Sequence, residues 1–392
     1  MYFQILDNKK ECYAIYCDGD LYYYPNNLEL SKTWAWSCHA PTNADCAEVW
    51  SSGLTLKQAC PEHLKDELQQ VQSRGMAYLK AFANAKVRLD DVCFYDLVPR
   101  RYLMEYCDIK NKISEYVFEH YKKPANYDFQ IDLAGLINKI ASRELTIREL
   151  SASDLSIPER RKYQQAKDMR RVSYNQWGSK TGRLTTRSNS FPILTLPKSL
   201  RGMVVPNNDL FVELDYNSAE ARVVLALAGY PQPKTDIHEH VRNEVYNNKF
   251  SRDEVKQKVF AWLYNPKAQN KKLASYFDRE NLLNKYYLDG IISSPFNRQM
   301  VVEQDKALNY LIQSTASDMF LRQAIKVGRI LEGKKSEVAF CVHDSLVLDM
   351  SREDSGLLNS IIDTFRKTEL GEFKVNAAIG KNFGDLKELS CT

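Results

Sequence analysis

Residues 210–229 read LFVELDYNSAEARVVLALAG. The first six make an apolar run ending on an acid, the pattern of a buried strand whose last residue reaches a sheet edge. Residues 218–229 then carry helical spacing, and Gly229 marks a helix C-terminus. A second stretch, EVAFCVHDSLVLDM (337–350), reads as strand, tight turn, strand, with His343 and Asp344 in the turn. Each stretch sets a carboxylate, Asp215 or Asp344, beside residues that belong in a core. An unpaired charge there is costly, so each acid is expected to have a partner or a metal. Two such acids from distant parts of a chain can hold two Mg²⁺ ions about 3.5–4 Å apart, an arrangement that serves phosphoryl transfer. The plainer reading is a turn former and a helix N-cap, and on these stretches alone both stay open.

A third stretch, RDEVKQKVFAWLY (252–264), puts Arg252, Lys256, Phe260 and Tyr264 at steps of four. Each step drifts about 40° around a helix, so the four make a slanted stripe about 18 Å long. Two cations followed by two aromatics match the layout of a nucleoside triphosphate, phosphates at one end and base at the other. An ordinary surface helix accounts for the cations but not for the aromatics beside them.

Composition narrows the class. With 44% hydrophobic and 27% charged residues, the 392-residue chain reads as a soluble globular protein of two or three subdomains. No apolar run approaches the roughly 20 residues of a membrane span, and the start lacks a secretory pattern. Nine scattered cysteines without a CxxC pair suggest reduced, intracellular thiols. Cys38, His39, Cys46, Cys60 and His63 match no standard zinc spacing. Net charge is only +4, yet from Met169 to Asn208 there is no Asp or Glu, while Arg170, Arg171, Lys180, Arg183, Arg187, Lys198 and Arg201 fall inside that tract. A solvated face normally mixes signs, so the tract points to a polyanion, with acidic surfaces of the same protein as the bland alternative. Residues 1–30 alternate like strands around Asp18-Gly19-Asp20, residues 55–150 turn helical, and 151–158 form a polar break.

Taken together, the motifs resemble the family A, DNA polymerase I-like, DNA polymerases. DYNSAEAR (215–222) is similar to motif A, Asp-Tyr-Ser-x-x-Glu-x-Arg: Asp215, Tyr216, Glu220 and Arg222 match, and Asn217 replaces the usual serine. VHDS (342–345) is similar to motif C, with Ser345 where glutamate is usual. The stripe is similar to motif B on the fingers helix, Arg-x3-Lys-x3-Phe-x3-Tyr-Gly, with Asn265 for the glycine. TGRL (181–184), DIH (236–238) and NYLIQSTASD (309–318) are similar to further family blocks, and all come in the family's order across about 170–350.

The resemblance implies an α+β right hand: a palm with an antiparallel sheet, helical fingers and a thumb, behind a small β-rich N-terminal region. The expected divisions are residues 1–90, of unassigned role and too short for a 3′–5′ exonuclease; 91–180, thumb and basic template contacts; 181–230, first part of the palm; 231–295, reduced fingers; and 296–392, second part of the palm. It implies primer-template DNA and dNTPs as partners of a monomer, with replication accessory proteins beside it. Two Mg²⁺ ions, or Mn²⁺ in their place, are implied on Asp215, Tyr216 and Asp344. Asp215, Asp344 and Lys256 are the implied catalytic residues, Lys256 protonating the departing pyrophosphate. Tyr216, Glu220, His238, Arg252, Lys256, Phe260 and Tyr264 are the implied nucleotide contacts, Glu220 obstructing a ribose 2′-OH. Lys180, Thr181, Arg183, Arg298, Asn309, Gln313 and His343 are the implied duplex contacts. His-Asp-Ser also resembles single-subunit RNA polymerases, and a nucleic-acid-binding homologue without catalysis is the other rival. A soluble enzyme of the cytoplasm or nucleoid, phage-encoded or organellar, without proofreading, completes the expectation.

Overall fold

The computed structural model of the chain describes residues 1–8, 11–23, 28–89, 92–151, 155–265 and 267–389, the side chains of residues 8 and 11 excepted. It is a mixed helix-and-sheet protein that divides into two compact units, Met1–Lys139 and Ile140–Thr392.

The first unit holds a five-stranded sheet in the order Asp20–Tyr22, Glu11–Cys17, Tyr2–Asn8, Lys32–Thr33, Asp45–Cys46. The first three strands are antiparallel, and the last two run parallel to Tyr2–Asn8 and to each other. Asp18 and Gly19, with φ of 49° and 87°, form the two-residue turn between Cys17 and Asp20. Positive φ at both positions is what a type I′ hairpin requires. Three long helices follow, Lys65–Asn84, Arg100–His120 and Tyr127–Ala141. Leu103, Cys107, Ile109, Ile113 and Val117 enter the same buried cluster as Leu6, Ala14 and Tyr16 of the sheet. The first unit thus runs past the division expected at residue 90, because the apolar face of Arg100–His120 covers the N-terminal strands. The expected thumb, 91–180, is divided between the units for the same reason.

The second unit is built on an antiparallel sheet ordered Glu337–Val342, Ser345–Met350, Leu210–Tyr216, Val375–Gly380, Lys387–Glu388. Strand Leu210–Tyr216 alternates strictly over its last residues, with Val212, Leu214 and Tyr216 buried and Glu213 and Asp215 half-buried. Tyr216 stacks on Phe365 of helix Leu358–Arg366, ring centroids 4.4 Å apart, and its hydroxyl donates to the Phe365 carbonyl at 2.5 Å. That face is the core. The other presents the acids. Helix Ala219–Leu227 follows the strand, with Gly229 at φ 81° just beyond it. Helices Ile237–Glu244, Arg252–Tyr264, Lys271–Tyr276 and Arg279–Tyr286 come next, then a three-stranded sheet whose strand Gln299–Val301 lies past the expected division at 295. Helix Gln304–Ile330 is the longest. Tyr174, at the head of the basic tract, binds the hairpin strand through its hydroxyl, accepting from Cys341 N at 2.9 Å and donating to Cys341 O at 2.5 Å.

Among the described residues no helix is long and apolar enough to cross a membrane. Cys38, His39, Cys46, Cys60 and His63 form no metal-holding group of three or more. Ile113 is fully buried in the first unit. Replacing it with Ala is expected to cost about 2–5 kcal/mol through the cavity left behind, read as a lowered unfolding midpoint in urea.

Candidate active site

The sheet register brings the two sequence-predicted acids together. Asp215 pairs directly with Ser345 on one side and Asn376 on the other. Val342 pairs with Ser345, so His343 and Asp344 are the hairpin turn, with His343 at φ 56°. Asp344 is thus the chain neighbour of the residue across from Asp215. Burial first, then the charges of Asp344 and Glu213, push the Asp215 carboxyl up to about 7. Among the described residues neither Asp215 nor Asp344 has an ion-pair partner. Glu220 lies close enough to feel the Asp344 charge; burial raises its pKa, against the pull of Arg183. Arg183 forms a salt bridge with Glu220, so one expected duplex contact and one expected nucleotide contact bind each other.

A polar network, unseen from the sequence, ties the turn after Asp215 to the stripe helix. Asn217 Nδ2 donates to Asp236 Oδ2 at 2.9 Å, and Arg252 donates to the same oxygen at 2.8 Å. Asp236 Oδ1 caps helix Ile237–Glu244, accepting from His238 N and Glu239 N at 2.9 and 3.0 Å. Burial alone would raise the Asp236 carboxyl, but the Arg252 ion pair and the Asn217 and backbone hydrogen bonds hold it well below the usual carboxylate range. Arg222 is fully buried and donates to the carbonyls of Asn217, Pro233 and Thr235 at 2.8, 2.9 and 2.8 Å. Arg222 is therefore a clamp on segment 233–237. The signal for this network was the Asn217 departure: serine has no amide to reach Asp236.

On helix Arg252–Tyr264 the core face is Val255, Val259, Trp262 and Leu263. The stripe lies off that face, with Lys256 exposed and Arg252, Phe260 and Tyr264 half-buried. Phe260 and Tyr264 stack with ring centroids 5.8 Å apart, and Lys256 Nζ stands 6.0 Å from the Phe260 ring centre. The Tyr264 hydroxyl is buried without a hydrogen-bond partner. The imidazole of His238, 6.0 Å from the Phe260 ring, is wholly buried, with Nε2 on the Ser218 hydroxyl at 3.0 Å and Nδ1 unpartnered. Burial holds its pKa down to about 4, helped by Arg252, Lys256 and Arg222 and opposed by Asp236. His238 is thus held neutral at pH 7.

Three further expected site residues have side-chain partners inside the fold. The Tyr216 side chain lies in the core against Phe365, so only its main chain is left for a metal or nucleotide. Arg298 makes a two-pronged ion pair with buried Asp318, at 2.7 and 2.9 Å, and its own side chain is largely buried. Thr181 is buried, its hydroxyl on Ser179 at 3.0 Å. Lys180 and His343 are exposed, and Asn309 and Gln313 are half-buried one turn apart on helix Gln304–Ile330. Of the basic tract, Arg171 pairs with Glu144 and Arg201 lies over the Phe383 ring at 4.8 Å, while Arg170, Lys180, Arg187 and Lys198 are exposed. Gly182 of the TGRL block has φ 77°, and a Cβ there would overlap the Arg298 guanidinium.

No protein-family model matches the sequence, and no curated protein matches it. The chain is similar to the solved POL domain of Pol1 from M. smegmatis, a complex with DNA primer-template and dNTP, at 14% identity and a TM-score of 0.49 over 72% of this chain and 75% of that one. A likeness of that size bears on neither the activity nor the role of any residue.

Two outcomes are expected. Gly182→Ala loses about 2 kcal/mol or more of stability in urea unfolding, because it strains a left-handed backbone and displaces the Arg298–Asp318 pair. His238 binds its proton near pH 4 when folded against an ordinary value near 6.5, so the unfolded chain binds the extra proton between those pH values. Its contribution to stability is full above about pH 6.5 and is lost as pH falls towards 4. Urea midpoints measured at pH 7 and pH 5 are expected to fall further for the wild type than for His238→Gln.

Proposed function

We propose that the chain is a template-directed DNA polymerase of the family A type, adding deoxynucleotides to a primer 3′ end without proofreading. The observation that carries this reading is the register of Asp215 against Ser345, which makes neighbours of two acids 129 positions apart in the sequence. On this reading the antiparallel sheet is the palm, helices 237–286 are the fingers, and the partners are primer-template DNA and dNTPs.

The donor set fits divalent magnesium, or manganese in its place: two hard carboxylates without a cation partner among the described residues, one of them raised in pKa by its burial first and by the neighbouring acids second. No third His, Cys, Asp or Glu joins them as a ligand among the described residues, which leaves room for phosphate and water oxygens. Asp215, Asp344 and the Tyr216 main chain are the groups that would hold the ions. Bound there, two such ions stabilise charge on the attacking and leaving oxygens of phosphoryl transfer.

The remaining work falls to the chain's own residues. The primer's 3′ oxygen bonds to the α-phosphorus, the bond from that phosphorus to the bridging oxygen breaks, and pyrophosphate leaves. The hydroxyl proton passes to water, and the exposed Lys256 Nζ protonates the leaving group. Arg252 commits two of its five N–H donors, to Asp236 and Asp253, so the others are free to hold phosphate oxygens. The Phe260–Tyr264 stack offers an aromatic ledge to sugar and base. Glu220, anchored by Arg183, stands beside Asp344 where a ribose 2′-OH would meet it. Asn309 and Gln313 present amides to minor-groove acceptors common to every base pair, a contact that checks pair geometry without reading sequence. Lys180, with His343 near the primer end, supplies the remaining duplex contacts.

Primer extension with Mg²⁺ tests this. Asp215→Ala and Asp344→Ala are each expected to slow extension about 10³-fold or more, some 4 kcal/mol on the barrier, while the fold survives. Wild-type protein should prefer dNTPs, and Glu220→Ala should narrow that preference. A wild-type preference for rNTPs would favour RNA synthesis instead, and tight binding of primed template without extension would favour a non-catalytic binder.

A further inference from the structure

Ser345 occupies the position where the motif resemblance expects an acid, yet a carboxylate is there all the same. The Ser345 hydroxyl donates to Glu213 Oε1 at 2.7 Å. Glu213 is paired not with Ser345 but with Val347, while Ser345 pairs with Asp215. Glu213 therefore reaches two pairs along the ladder, away from the residue opposite it and towards the end of the strand that carries Asp215. Residues 213 and 215, two apart on one strand, leave the same face of the sheet. On the other flank their partners are Ala378 and Asn376, a small and a neutral side chain, so nothing bulky or basic crowds that face from the neighbouring strand. Among the described residues none of Glu213, Asp215 and Asp344 has an ion-pair partner. In a chain with 54 Lys and Arg against 50 Asp and Glu, three uncompensated acids at one sheet end mark a place for a cation from outside the chain.

We infer that Glu213, aimed by Ser345, is a positioning residue of the divalent-ion site, holding the water shell of the ions bound by Asp215 and Asp344. It does from the neighbouring strand what an acid at 345 would do from the hairpin. The inference rests on the polymerase reading above. It fits the finding that no third acid is placed as a direct ligand among the described residues: Mg²⁺ and Mn²⁺ keep several waters, and those waters need acceptors. Losing such an outer partner typically weakens metal binding by about 10- to 100-fold.

The test is Mn²⁺ binding to the full-length chain without nucleotide or DNA, read from the free-ion electron paramagnetic resonance signal, beside primer extension on the same samples. Glu213→Gln is expected to weaken Mn²⁺ about tenfold with an unchanged thermal midpoint. Ser345→Ala, which frees Glu213 without removing it, is expected to weaken Mn²⁺ a few-fold. The exchange Glu213→Ser with Ser345→Glu should return affinity to within about threefold of wild type. Wild-type Mn²⁺ affinity in Glu213→Gln overturns the inference, as does an exchange variant that folds but binds no better than Glu213→Gln. If Asp215→Asn and Asp344→Asn abolish extension while Glu213→Gln leaves Mn²⁺ binding unchanged, only this inference fails. If those two Asp variants extend primers normally, the polymerase reading itself fails.

Discussion

The antiparallel register of Leu210–Tyr216 against Ser345–Met350 is the constraint on which the site depends. A slip of one residue would turn Asp215 into the core and Leu214 out of it. Leu214 and Tyr216 prevent the slip: both are buried to within 1% of their surface, and Tyr216 is held twice over, by the Phe365 ring and the Phe365 carbonyl. The acids are displayed because their neighbours are not. The hydrophobic side of the strand therefore fixes the position of two like charges that would otherwise separate, and the Asp215 carboxyl is raised by its burial first and by that proximity second.

A second constraint fixes the stripe helix to the same strand end. Arg222 lies wholly in the interior, where a guanidinium is tolerated only with its donors satisfied, and three backbone carbonyls plus the Asn217 amide oxygen satisfy them. Those bonds hold segment 233–237 against the turn after Asp215. Asp236 then completes the link, since one carboxylate oxygen serves both Asn217 and Arg252. Strand end, cap and stripe helix are joined by hydrogen bonds on buried or half-buried groups, which are stronger there than in water.

The strands, the hairpin and the stripe were legible in the sequence because each is a local pattern: alternation of period two, a two-residue turn, or steps of four. The acids could be named before they could be placed, since their meeting is a long-range event. Roles that depend on pairing were hidden. Arg298 carries the same charge as Lys180, but only the fold reveals that Asp318 lies within its reach. His238 reads as a nucleotide contact, and only the fold reveals that its ring is buried on the Ser218 hydroxyl and its pKa held down by that burial. The packing partner of Arg100–His120 was hidden for a similar reason: amphipathic spacing shows that the helix covers something apolar, not that the covered surface is the N-terminal sheet.

Pairing also separates the charges of the site into two classes. The cations nearest the chemistry already have carboxylates: Arg252 has Asp236, Arg183 has Glu220, Arg298 has Asp318. The acids at the sheet end, Asp215, Asp344 and Glu213, have no cation among the described residues. A ligand that was merely anionic would have to compete for Arg252 and Arg183 and would be repelled by the sheet. A bare cation would satisfy the acids but leave the exposed Lys256 and the aromatic ledge without a role. On the proposed function, a polyanion that arrives with divalent cations would satisfy both classes at once: the ions would neutralise the three acids, and the phosphates would reach Lys256 and the remaining donors of Arg252. That matching of charge is independent of any motif, and it supports the substrate chemistry proposed above.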